Sequence, residues 1–117
     1  MEKWEKDFEW QHLRRWIKKK FNKKGMPDVN SILFLIGIQE LGKIQETFSK
    51  EEKQDLMHIA ICKLLSTDGH YKLIGRDEEG WPQWELIKPV EKSGIKDQEA
   101  LLKEKIVAYF RPYIEEI

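Results

Sequence analysis

The chain is short of cysteine, of long apolar runs and of net charge, and each shortage removes a class of protein. Cys62 is the single cysteine among 117 residues. It can form no intrachain disulfide, so a reducing compartment, the cytosol, is the expected setting. The longest apolar run, Ile32 to Ile38, includes Gly37 and falls far short of the roughly 20 residues that a membrane-spanning helix requires. No membrane span is expected. Met1 to Asp7 alternates charges where a secretory signal would carry a continuous apolar segment, so export by that route is not expected either. The 21 basic and 21 acidic side chains cancel, and a pI of about 6.8 misses the overall basic footprint of a nucleic-acid-binding domain.

Catalytic signatures are missing as well. The seven glycines are scattered as turn and stop residues rather than gathered into a phosphate-cradling loop, and neither C-x-x-C nor H-E-x-x-H spacing occurs. Cys62 and His58 are the only nucleophile and base close in sequence, and a mid-helix position gives the thiol no helix N-terminus to lower its pKa. Glu51, Asp55, His58 and Cys62 share one sector of a predicted helix, and each can coordinate a metal. They spread over about 16 Å of axis, so one ion can bridge at most His58 and Cys62, with Asp68 and His70 as further ligands. The expectation is a buried, inert Cys62, with no catalytic residue, no metal and no cofactor.

What remains is ordinary globular material. With 40% apolar and 36% charged residues the composition is not that of a disordered chain, and a single domain over residues 1–117 can bury about two-thirds of its surface. Trp10, Leu13, Trp16, Ile17 and Phe21 share one helical sector and predict a first helix over residues 2–21, which Gly25 and Pro27 end, Gly25 offering a left-handed stop. Pro27-Asp28 opens a second, short helix that Gly42 ends. Its Ile32 to Leu41 stretch has almost no polar face and predicts a helix enclosed on most sides. Ser49-Lys50-Glu51-Glu52 has the S-x-x-E form of a capping box and starts a third helix. His70 to Gly75 and Trp81 to Lys88 flank Asp77-Glu78-Glu79-Gly80 as a β-hairpin, with Pro82 at a strand start or edge. A fourth helix follows Ser93-Gly94, its apolar stripe running from Leu101 to Tyr113, and Pro112 is placed to end or kink it. The fold class is α+β, mainly α: four helices, one of them central and apolar, with one hairpin, in the order α-α-α-β-β-α.

Three segments, Ile32 to Gly42 (ILFLIGIQELG), Lys50 to Ala60 (KEEKQDLMHIA) and Gly80 to Glu85 (GWPQWE), together resemble a family of small bacterial proteins of unknown function. That resemblance implies a bacterial cytosolic setting and brings no catalytic or binding residue with it.

The charges are laid out unevenly although they sum to zero. Residues 1–10, 11–27 and 28–117 carry local balances of −2, +7 and −5. Arg14, Arg15, Lys18, Lys19 and Lys20, with Lys23 and Lys24 and interleaved with Trp16 and Phe21, form an electropositive helix end suited to an acidic protein partner or to phosphate. The plainer alternative is that these cations complement the helix dipole or pair with acids of the same protein. Three helices before a hairpin also resemble a winged helix, an arrangement that would bind nucleic acid. However, the third helix sets Glu51, Glu52 and Asp55 beside Lys50, Lys53 and Lys63, and Asp77-Glu78-Glu79 at the hairpin tip would repel phosphate. Five tryptophans are many for one small core. Trp16 and one of Trp81 or Trp84 fit inside; Trp4, Phe8, Trp81 and Trp84 are the candidates for an aromatic contact surface. A non-catalytic cytosolic interaction domain that forms a homodimer is the expectation.

Overall fold

Without glycine or proline, and with Trp10, Leu13 and Ile17 on one side, residues Lys3–Lys20 form helix α1. The structure is a computed structural model that describes residues 3–43, 45–90 and 94–115, the side chains of residues 3, 4, 95, 96 and 115 excepted. Helix α2 (Val29–Leu41), helix α3 (Lys50–Ser66), strands β1 (Tyr71–Arg76) and β2 (Pro82–Leu86), and helix α4 (Ile95–Glu115) complete the α-α-α-β-β-α order. The fold is α+β and mainly helical. No described helix is long and apolar enough to cross a membrane.

The chain divides into two compact units, one of Met1–Val29 with Ser93–Ile117 and one of Asn30–Lys92. In the first, α1 and α4 pack together. The Trp16 and Phe110 rings lie 6.1 Å apart, the Lys103 ammonium sits 5.4 Å from the centre of the Trp10 ring, and Lys6 pairs with Glu104. Arg111 meets Glu9 at 3.3 Å. These ion pairs are exposed and contribute little, about 0–1 kcal/mol each; buried Trp10, Ile106 and Phe110 contribute more. Pro112 does not end α4, which continues to Glu115.

Helix α1 stops differently from the expectation. Asn22, at φ 53°, takes the left-handed position expected of Gly25, which has no positive φ. The Lys23 N–H donates to the Lys18 carbonyl at 2.9 Å and the Asn22 N–H to the Lys19 carbonyl at 3.4 Å, the paired bonds of a Schellman stop. Asparagine is the non-glycine residue best able to hold this conformation, because its short polar side chain can bond locally.

The second unit is built on α2 and α3. From Ile32 to Leu41 no apolar side chain of α2 is exposed, as its missing polar face requires. Ser49 caps α3: its hydroxyl accepts from the Glu52 N–H at 3.1 Å while the Glu52 carboxylate accepts from the Ser49 N–H at 2.9 Å. Leu41, Leu56, Ile59 and Trp81 form a buried cluster, with Phe34, Ile38 and Phe48 against it. Strands β1 and β2 pair antiparallel, Tyr71 opposite Leu86, Lys72 opposite Glu85 and Leu73 opposite Trp84. The register then slips at Ile74, and Gly75 takes φ 142°, a conformation open to glycine and to little else. Arg76 ties the hairpin to the end of α2, donating to the carbonyls of Glu40 at 3.0 Å and Leu41 at 3.1 Å and to that of Gly80 at 2.8 Å.

Candidate interaction surfaces

The hairpin has one apolar and one charged face, because residues opposite in register share a side and neighbours along a strand alternate. Lys72 and Glu85 oppose each other on the charged face. On the other stand Tyr71, Leu73, Trp84 and Leu86. Tyr71 meets the edge of the His58 ring, 6.2 Å between centres, and is half-buried. Leu73 and Leu86 are 46% and 56% exposed; Ile74, at the register slip, and Ile87, just past β2, do not share their face and are 61% and 54% exposed. Among the described residues the sheet has only these two strands, so each strand also leaves one edge of backbone donors and acceptors unpaired.

The four aromatic candidates are thereby separated. Trp81 is a core residue, enclosed by Leu41, Leu56 and Ile59, and its ring is spent on that core instead of a contact surface. Trp84 lies half-buried on the apolar hairpin face, and its indole Nε1 is buried without a hydrogen-bond partner among the described residues. Phe8 of α1 is 63% exposed. The Trp4 side chain lies outside the described residues. Sequence reasoning passed over Leu73, Ile74, Leu86 and Ile87 as surface residues. For Leu73 and Leu86 the signal was available in the strand alternation, but which part of the apolar hairpin face α3 leaves uncovered is visible only once the neighbours are placed.

The basic candidates stand at the end of α1. Arg14 is occupied, its Nε donating to the Pro27 carbonyl at 2.7 Å and its Nη1 to Gln11 at 3.0 Å. Arg15, Lys19, Lys20 and Lys24 are exposed, Lys18 and Lys23 half-buried. Among the described residues none of these cations has a carboxylate within ion-pair distance.

Cys62 and His58 do meet, Sγ to Nε2 at 3.5 Å. Burial pushes the thiol up to about 11, so at neutral pH it is a protonated, enclosed group and not an activated thiolate. Among the described residues no three of His, Cys, Asp and Glu stand close enough to hold a metal ion. Glu52, Asp55, His58, Asp77, Glu79 and Trp84 border an acidic groove of about 480 Å³, but Asp77 is committed to the turn, accepting from the Glu79 and Trp81 N–H groups. Exposed acids at 51, 55 and 77–79, with exposed Lys50 and Lys53 beside the first two, stand on the helix and the tip that a winged helix would bring to DNA. No family model, curated protein or solved structure matches the chain, and no residue role comes to it from a relative.

Proposed function

We propose that this chain is a non-catalytic interaction domain of the cytosol that self-associates as a homodimer through its hairpin. The observation that supports this reading is the part of the apolar hairpin face that α3 leaves uncovered, with Leu73 and Leu86 each about half exposed next to Trp84. A contiguous apolar patch on a small domain is a contact surface more often than a solvated one. A second copy is its simplest occupant, since a two-fold axis brings the same face and the same unpaired strand edge to itself.

Light scattering across micromolar concentrations tests the reading. A dimer mass is expected for the native chain, with conversion to monomer in the double variant Leu73→Lys, Leu86→Lys while far-ultraviolet helicity is unchanged. A monomer at every concentration for the native chain overturns it.

A further inference from the structure

The basic end of α1 holds cations that pair with no carboxylate among the described residues, and we infer that it binds single-stranded nucleic acid, with Phe21 as the stacking platform and Arg15, Lys19, Lys20 and Lys24 on the phosphates. This inference is independent of the hairpin dimer.

Lysines at a helix C-terminus normally answer the partial negative charge of the last carbonyls. Here main-chain donors have taken three of the last four carbonyls: Phe21 N–H bonds the Ile17 oxygen at 2.9 Å, Lys23 N–H that of Lys18 at 2.9 Å, and Asn22 N–H that of Lys19 at 3.4 Å. Among the described residues, none of the lysine ammoniums of the run caps a carbonyl and none pairs with a carboxylate. The Schellman stop also folds the chain back, so that Lys23 and Lys24 return to the same helix end as Lys18, Lys19 and Lys20. Residues 11–27 contain seven basic and no acidic side chains, so nothing within the run offsets the field.

Phe21 decides between the anionic partners. Phe21 is 48% exposed and follows Lys18-Lys19-Lys20 directly in the chain, with Lys23 and Lys24 two and three residues on. An acidic protein surface gains from the ring only where it also sets an apolar pocket among its carboxylates. A single strand gains twice, through phosphate neutralisation and through an unstacked base lying on the ring. Duplex DNA offers no free base face, and the exposed acids of α3 and of the hairpin turn are unfavourable to groove docking.

Fluorescence anisotropy with a labelled oligodeoxythymidylate of about 12 nucleotides tests the inference. Binding is expected, weakening about 20- to 50-fold between roughly 50 and 200 mM salt if about three or four phosphates are neutralised. The double variant Lys19→Glu, Lys20→Glu is expected to abolish it and Phe21→Ala to weaken it at least about five-fold, with unchanged helicity in both. Absence of binding at low salt overturns the inference. So does equal affinity for a duplex of the same length with no effect of Phe21→Ala, and so does preferential binding of polyglutamate, which would assign the surface to acidic proteins.

Discussion

Gly37 of α2 lies so close to Leu56 of α3 that a methyl group on its Cα would stand 2.6 Å from the Leu56 carbonyl carbon and 2.9 Å from its Cβ. The two helices touch backbone to backbone at this point, which is why an apolar run built for burial contains a glycine, although glycine disfavours a helix by about 1 kcal/mol relative to alanine. Because the obstacle is main chain and not the end of a flexible side chain, no rotamer change can make room. Gly37→Ala is expected to destabilise the protein by about 1–3 kcal/mol or more, read as a lowered urea midpoint. A midpoint at or above that of the native chain would show that α2 and α3 can separate without loss.

The start of α3 makes a second quantity measurable. Ser49 and Glu52 satisfy each other's main-chain donors, and Ser49→Ala is expected to cost about 1 kcal/mol. Glu52→Gln, whose amide oxygen can still accept from the Ser49 N–H, should cost less than Glu52→Ala. The hydrogen bond from the Ser49 backbone, followed by that from Gln45, holds the Glu52 carboxyl below its ordinary value of 4.5. A carboxyl with a lowered folded pKa stabilises the fold above its unfolded pKa and loses that contribution as pH falls through the folded value. The stability difference between the native chain and Glu52→Gln should therefore shrink as urea titrations are carried from pH 6 to strongly acid solution. A constant difference would show that the cap does not distinguish the carboxylate from the amide.

Local chemistry was legible in the sequence, and partner choice was not. The Ser49 cap, the Gly42 stop after α2 and the Asp77 to Gly80 turn each lie within a few residues of what they terminate or join, so composition and spacing located them. Trp81 and Trp84 are near neighbours with the same side chain, and only the arrival of Leu41, Leu56 and Ile59 around the first decides which indole is core. Arg76 carries no local sign that its guanidinium reaches the last carbonyls of α2, 35 and 36 residues earlier. The basic run was visible as composition. That its lysines are left unspent depends on which donors take the helix carbonyls, and this emerges only from the geometry of the stop.

Cys62 gives a prediction at the alkaline end. Burial raises its thiol from 9.0 to about 11, so the folded state binds a proton that the unfolded state releases between those values. A raised folded pKa contributes stability that is complete below the unfolded pKa and is lost as pH rises through the folded one. Stability should fall from about pH 9 to about pH 11 by up to about 1.4 kcal/mol per unit, and Cys62→Ala should remove that part of the slope. In the native chain at pH 8, alkylation by iodoacetamide should be far slower than in the urea-unfolded chain. Equal rates would mean that the thiol is open to solvent.

The stop of α1 separates two residues that are hard to rank by sequence. Asn22 sits at φ 53°, where a Cβ is unfavourable for most residues, whereas Gly25 has no positive φ and nothing within 4 Å of the position a Cβ would take. Asn22→Ala should therefore cost about 0.5–1 kcal/mol, and Asn22→Gly should be neutral or slightly stabilising because glycine enters this region without penalty. Gly25→Ala should stabilise by about 0.4–1 kcal/mol by reducing the freedom of the unfolded chain. Urea midpoints in the order Gly25→Ala, native, Asn22→Ala, from highest to lowest, are the expected result. The reverse order would place the left-handed stop at Gly25 and release Lys23 from its bond to Lys18. The lysine cluster would then lose the fold-back that gathers it at one helix end.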